Sequence, residues 1–223
     1  GPPPVGRIGP TVIYDPVRDR LLLFGGAGYS ELWALTLVSS PAWQPLVTTG
    51  EAPRVRAGQS AVYAPIRARM VIFGGIDGST YLGDTWAISL RTNQWENFGS
   101  TGSGPSPRAW HRAVYDSIGD RMIVVGGQDS AGYENDAWAL PLESGGEWTA
   151  LAPEGPSPSP RGRFGMVYDA RRTRVLVHGG LTATGFVGDM WALDLAGLPR
   201  WEAVATVDSL DPRADHLMVG DPV

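Results

Sequence analysis

An all-β fold built from repeated four-stranded units is predicted by three observations. Glycine pairs recur at Gly25-Gly26, Gly74-Gly75, Gly126-Gly127 and Gly179-Gly180, spaced 49, 52 and 53 residues apart. Each pair keeps the same markers in register: Tyr14, Tyr63, Tyr115 and Tyr168 eleven residues before it, Arg20, Arg69, Arg121 and Arg174 five before it. Trp33, Trp86, Trp138 and Trp191 follow the pairs, and Trp43, Trp95, Trp148 and Trp201 come nine or ten residues later. Finally, the apolar runs are short, alternate with period two and are bounded by turn residues, with no helical periodicity. Self-similarity at a period near fifty is the mark of a repeat architecture.

The second repeat shows the elements in order. Ser60-Ala61-Val62-Tyr63 is a first strand, and Ala64-Pro65-Ile66-Arg67-Ala68 turns the chain. Arg69-Met70-Val71-Ile72-Phe73 is a β-branched, apolar second strand ending at the glycine pair. Ile76 to Gly83 is polar and contains glycine, so it is read as a loop. Asp84 to Leu90 alternates as a half-buried strand does, Arg91-Thr92-Asn93 is a tight turn, and Gln94 to Phe98 alternates again. A Gly/Pro/Ser segment, Gly99 to Pro107, leads to the next repeat.

Four-stranded antiparallel units repeated every fifty residues describe the blades of a β-propeller, in which each blade covers its neighbour's face. The two tryptophans per repeat suit that packing. A buried aromatic removes about 150–250 Å² from water, on the order of 4–6 kcal/mol gross at about 25 cal/mol per Å². Residues common to all repeats are therefore assigned to the framework, and residues that break the repeat are where function is expected.

Composition removes several function classes. The 223 residues are 43% hydrophobic and 18% charged, as in a globular chain, and the net charge is −5. That charge argues against nucleic-acid binding, which uses a basic stripe. All basic residues other than histidine are arginine, and there is no cysteine. Disulfides, thiolate metal sites and cysteine nucleophiles are thereby excluded. No apolar run approaches a membrane span, and Gly1-Pro2-Pro3-Pro4 lacks the pattern of a signal peptide. We expect a soluble chain with no membrane partner, whose natural N-terminus lies further upstream.

The repeat resembles the Kelch repeat. The third shows it best: Arg108-Ala109-Trp110-His111 opens it, Met122-Ile123-Val124-Val125-Gly126-Gly127 is its central strand, and Asn135-Asp136-Ala137-Trp138 leads to Trp148. The resemblance covers essentially the whole chain as one propeller domain, with repeats at 7–53, 54–107, 108–160 and 161–212. Arg213 to Asp221 restarts the pattern, with Gly220 at the tyrosine position, so a partial repeat, the first strand of a fifth, is expected at 213–223. The histidine position holds Pro10, Gln59, His111, Phe164 and His216, and the first repeat is four residues shorter between its glycines and Trp33. Kelch propellers commonly have six or seven blades. Four imply a piece of a longer propeller, a composite ring with a second copy, or a small ring closed alone. An unclosed blade edge also invites self-association.

Candidate site residues lie in the variable loops, because loops on a rigid scaffold carry recognition. The post-glycine loops supply Tyr81, Tyr133, Glu134 and Phe186, and the inter-repeat loops supply Trp110 and Arg163. Trp110 is the one tryptophan outside the repeat register, and its counterparts are Gly9, Gly58, Arg163 and Asp215. Aromatic and arginine side chains make good anchors for a partner. In some peptide-binding Kelch domains, arginines of this loop grip acidic side chains, which the resemblance carries to Arg163. Asp84, Asp136 and Asp189, two residues before the first Trp, are expected to bond the preceding loop backbone. The arginines before each pair are expected to meet Asp15, Asp116 and Asp169. Structural roles are expected for His111, His178 and His216, which lack metal-ligand spacing.

No catalytic constellation, metal site or cofactor is expected. The leading expectation is a non-catalytic binding or scaffold module that presents its loops to a protein or peptide. The resemblance leaves two alternatives. One is a sugar-acting enzyme of the sialic-acid mutarotase type; the copper-radical oxidases of the family need a cysteine-linked tyrosine that this chain lacks. The other is an architectural role as blades of a larger or composite ring.

Overall fold

A computed structural model of the chain describes all residues except 39, 100–103, 144–145, 207–209 and 221–223. Among the described residues there are sixteen strands and no helix, arranged as four antiparallel four-stranded sheets. Each sheet takes its strands in chain order. The first holds β1 (Thr11–Asp15), β2 (Arg20–Phe24), β3 (Leu32–Thr36) and β4 (Ala42–Pro45). The second holds β5 (Ser60–Ala64), β6 (Arg69–Asp77), β7 (Thr80–Ser89) and β8 (Gln94–Asn97). The third holds β9 (Arg112–Asp116), β10 (Arg121–Gln128), β11 (Tyr133–Pro141) and β12 (Thr149–Ala150). The fourth holds β13 (Gly165–Asp169), β14 (Arg174–Thr182), β15 (Gly185–Asp194) and β16 (Arg200–Ala203). Residues 1–99 and 100–223 form two compact units of two sheets each.

The second strand does not end at the glycine pair, as the composition suggested. β6 runs on to Asp77 and β7 begins at Thr80, so Ile76 to Gly83 is mostly a hairpin rather than a loop. The register shifts between Phe73 and Gly75, between Val125 and Gly127, and between His178 and Gly180. The glycine pair is thus a bulge that bends the strand and lets pairing resume beyond it. The first repeat lacks the four residues that would build this extension, and its strands stop at Phe24 and Leu32. Glycine is required at Gly127, where φ is +101° and a β-carbon would stand 2.7 Å from the His111 Cβ and 2.9 Å from its backbone nitrogen.

Within each unit the two sheets pack face to face. In residues 1–99, Leu22, Phe24 and Leu32 meet Met70, Ile72, Ile88 and Trp95, with the Phe24 and Trp95 rings 5.1 Å apart. In residues 100–223, Ile123, Val125 and Ala137 meet Phe164, Val175, Val177, Leu193 and Trp201. The alternation of β10 and β14 accounts for this, since period two sends every second side chain to the same face.

Two polar devices repeat. The arginine at the start of the second strand donates to the aspartate that ends the first: Arg20 to Asp15 (2.9 Å), Arg121 to Asp116 (2.7 Å) and Arg174 to Asp169 (3.0 Å). Arg69, facing Ala64 instead, pairs with Glu96 at 3.0 Å. The second device corrects an expectation. Asp84, Asp136 and Asp189 are not loop-backbone acceptors but the carboxylates of a buried clamp. Arg56, Arg108 and Arg161 each donate through both Nη atoms to the aspartate 28 residues on, and through Nη1 to the first glycine's carbonyl at 3.0 Å. The same aspartate accepts from the indole of Trp86, Trp138 or Trp191. A six-residue stretch of sequence cannot show this, because the arginine comes from the inter-repeat loop. In the first repeat Glu31 replaces the aspartate and reaches Arg7 only at 3.4 Å, and the buried Trp33 Nε1 has no acceptor among the described residues.

The restart at Arg213 is seated against the fourth sheet as its counterparts are seated against theirs. The Gly180 amide donates to the Arg213 carbonyl, as Gly26 does to Arg56 and Gly127 to Arg161. Residues 213–220 form no strand among the described residues, and Asp221 lies outside them.

Candidate recognition site

Five equivalent inter-repeat positions share one backbone conformation. Gly9 and Gly58, in the first unit, have φ of 67° and 65°; Trp110, Arg163 and Asp215, in the second, have 60°, 59° and 57°. Each position is tied to the next within its unit. The Gly58 amide donates to the Gly9 carbonyl (2.9 Å), Arg163 to Trp110 (2.9 Å) and Asp215 to Arg163 (2.7 Å). The left-handed region suits glycine and costs a side-chain-bearing residue about 1–2 kcal/mol. The fold is satisfied by glycine at two of these positions. Trp110, Arg163 and Asp215 carry side chains in the same conformation, which Asp19, Ala68, Asn93, Asp120, Ala152 and Thr173 also adopt elsewhere in the chain.

Those side chains form one row. The Arg163 guanidinium lies 4.0 Å from the centre of the Trp110 ring, within cation–π range. Its Nη1 donates to Asp215 Oδ2 at 3.0 Å. The pair is accessible, with the Arg163 and Asp215 side chains 33% and 56% exposed. The Tyr133 ring edge and the Trp110 Cβ flank Gly162, 3.4 and 3.5 Å from where a β-carbon would stand. Glu134 follows Tyr133, and its carbonyl accepts from the Arg161 amide at 2.9 Å. Burial, together with nearby Asp129 and Asp136, raises the Glu134 carboxyl above its usual range.

Arg112 adds a second cation behind the row, donating from Nε to the Phe164 carbonyl at 2.8 Å. Burial lowers its pKa; nearby Asp215 opposes that shift and Arg163 adds to it. Two arginines, Arg112 and Arg163, and one acid, Asp215, are thus close enough to influence one another here.

Of the six residues expected from sequence, the structure brings Trp110, Tyr133, Glu134 and Arg163 to one region. Phe186 occupies the position of Tyr133 one repeat later, paired with Leu181 and 61% exposed. Tyr81 takes that position in the first unit, paired with Ile76. Asp215 was not among the six. Its alignment with Arg163 in the repeat register was the available signal, because adjacent repeats set equivalent residues side by side. Among the described residues no group of three His, Asp or Glu side chains is placed to hold a metal ion, and no helix is long and apolar enough to cross a membrane.

Blades of this kind, three of the four with a glycine-pair bulge and an arginine–aspartate clamp, define a class of repeat protein. The KLHDC2/KLHL20/DRC7 Kelch-repeats domain matches residues 1–115 and 88–221. The chain belongs to the Kelch-repeat family, and its fold is that of Kelch-type β-propeller blades. It is 27% identical over 144 residues to the leucine-zipper-like transcriptional regulator 1 homolog of Drosophila melanogaster, which spans 61% of this chain and 14% of that protein. The solved structure of YjhT superposes with a TM-score of 0.75 at 17% identity, over 95% of this chain and 68% of that one. At that identity the likeness concerns the fold. The fold is consistent with a protein-binding module.

Proposed function

We propose that the chain is a non-catalytic binding module that grips an acidic protein or peptide segment through Trp110, Arg163 and Asp215, with Tyr133 and Glu134 beside them. The observation that carries this reading is the left-handed backbone at 110, 163 and 215. Glycine serves at the two equivalent positions of the first unit, whereas these three side chains are held at a conformational cost, stacked on one another and partly exposed. Arg163 offers a guanidinium already oriented by the indole, so little side-chain freedom is lost on binding. A partner carboxylate takes the place of Asp215, and the indole face receives an apolar neighbour. Phe186 offers an aromatic contact from its own hairpin, and Tyr81 offers one separately in the first unit. The test is selection from a random peptide library on the intact chain. Acidic sequences should be enriched, and Trp110→Ala with Arg163→Ala should lose them. Enrichment that survives both substitutions refutes the site.

A further inference from the structure

Arg112 is a further departure from the repeat, two residues after Trp110. Its counterparts, each one past the histidine position, are Thr11, Ser60, Gly165 and Leu217. It opens β9, the edge strand of the third sheet. Its Nε donates at 2.8 Å to the carbonyl of Phe164, the residue after Arg163. That bond sets the guanidinium beside the Arg163–Asp215 pair, close enough for both charges to act on it. Arg56, Arg108 and Arg161 each have an aspartate of their own. Arg112 forms no ion pair among the described residues, so Asp215 is one acid facing two guanidiniums. Like charges brought together partly out of water are unfavourable unless an anion lies between them.

The clamps show what a single guanidinium does with a carboxylate. In each, the two Nη atoms take the two carboxylate oxygens of Asp84, Asp136 or Asp189. A carboxylate is thereby saturated by one arginine, and for an acidic side chain Arg163 suffices. Arg112 would then be surplus. A phosphate monoester carries about −1.5 to −2 charge near pH 7 and has three acceptor oxygens. It supplies both the second charge and the third oxygen that a second guanidinium needs. Glu134 does not neutralise the pair, since the charges acting on its carboxyl are those of Asp129, Asp136 and Arg108.

We propose that Arg112 and Arg163 together bind a phosphorylated serine or threonine of the partner segment, the phosphate displacing Asp215 from Arg163 while Trp110 holds that guanidinium from behind. The assignment rests on the recognition role of the row and names the group that the row selects. Asp215 then acts as the internal competitor that the phosphate must outbid and a lone carboxylate matches only evenly.

The probes are two acetylated and amidated peptides, Ala-Ala-phosphoserine-Ala-Ala and Ala-Ala-Glu-Ala-Ala, titrated into the intact chain and followed by NMR. The phosphopeptide should bind at least about tenfold more tightly than the glutamate peptide. Arg112→Gln should cut that preference to about twofold or less and leave glutamate binding within about twofold of wild type. Arg112 is partly buried, so Arg112→Lys is measured beside it, with the urea midpoint of each; lysine keeps the charge without the planar fork and should keep part of the preference. Asp215 is exposed, and Asp215→Asn should strengthen phosphopeptide binding at least about threefold by removing the competitor. Equal binding of the two peptides overturns the phosphate assignment and leaves the row as a carboxylate site. No gain from Asp215→Asn, or an undiminished preference in folded Arg112→Gln, overturns it as well. If neither peptide binds at about 10 mM, near the weak end of specific recognition, the row reading falls with it. Inorganic phosphate that displaces the phosphopeptide at equal concentration makes this a site for the free ion, and the partner assignment is wrong.

Discussion

Replacing Asp136 by alanine tests the clamp that fixes each inter-repeat loop. The Arg108 side chain is 2% exposed and donates to Asp136 through both Nη atoms. Removing one member of a buried ion pair costs about 3–5 kcal/mol, because the other charge stays buried. Two features reduce that figure. Asp136 is 34% exposed, so water can reach the vacated side. Arg108 also keeps the Gly126 carbonyl (3.0 Å), the Ser106 carbonyl (3.1 Å) and the Ser106 hydroxyl (2.9 Å). Against this, the Trp138 indole loses its acceptor at 2.7 Å, about 1 kcal/mol. The expected loss is about 3 kcal/mol, read from urea unfolding of Asp136→Ala with an unchanged slope. A double-mutant cycle with Arg108→Met should return a coupling of at least about 2 kcal/mol. A loss below about 1 kcal/mol, or additive single costs, would mean that the clamp does not organise the loop.

Gly127→Ala should destabilise by more than about 3 kcal/mol in the same assay, since its β-carbon would meet backbone atoms of Ala109 and His111 at 2.9 Å and the strand cannot yield there. Stability should fall on acidification. Burial pushes the Asp84 and Asp189 carboxyls up, but bonds from Arg56 and Arg161 and from Trp86 and Trp191 outweigh it and hold both below the usual range. Their contribution is complete above the unfolded pKa of about 3.9 and is lost as pH falls through the lower folded values, which acid titration of the urea midpoint checks. On the alkaline side, burial and the hydrogen bond to Asp120 push Tyr115 up to about 12. Its contribution holds below the unfolded value of about 10 and is lost as pH rises through about 12, and Tyr115→Phe should remove that loss.

The blades were legible because their signals are local and repeated. Tyr, Arg, Gly-Gly and Trp each occupy a fixed place along one sheet, so four copies in register leave little freedom. The extension of β6 and β7 was not legible. Ile76 to Gly83 has loop composition, and only the Asp77-Gly78 turn signal hinted at a hairpin. The partners of Asp84, Asp136 and Asp189 were hidden by distance along the chain, since each arginine precedes its aspartate by 28 residues. Trp110 and Arg163 could be singled out as departures from glycine at one repeat position. Their stacking, and the closing of the row by Asp215, depend on the lateral spacing of adjacent repeats, which sequence expresses only as equivalence.

Trp110 and Arg163 are proposed to serve recognition and not the framework. The most direct test is the urea stability of Trp110→Gly with Arg163→Gly, measured beside binding of a library-selected acidic peptide. Glycine relieves about 1–2 kcal/mol of left-handed strain at each position, against about 0.5–1 kcal/mol for the stacking contact and a similar or smaller amount for the exposed ion pair. The expected variant is at least as stable as the wild type and no longer binds the peptide. A variant destabilised by more than about 3 kcal/mol, or one that binds the peptide undiminished, would contradict it.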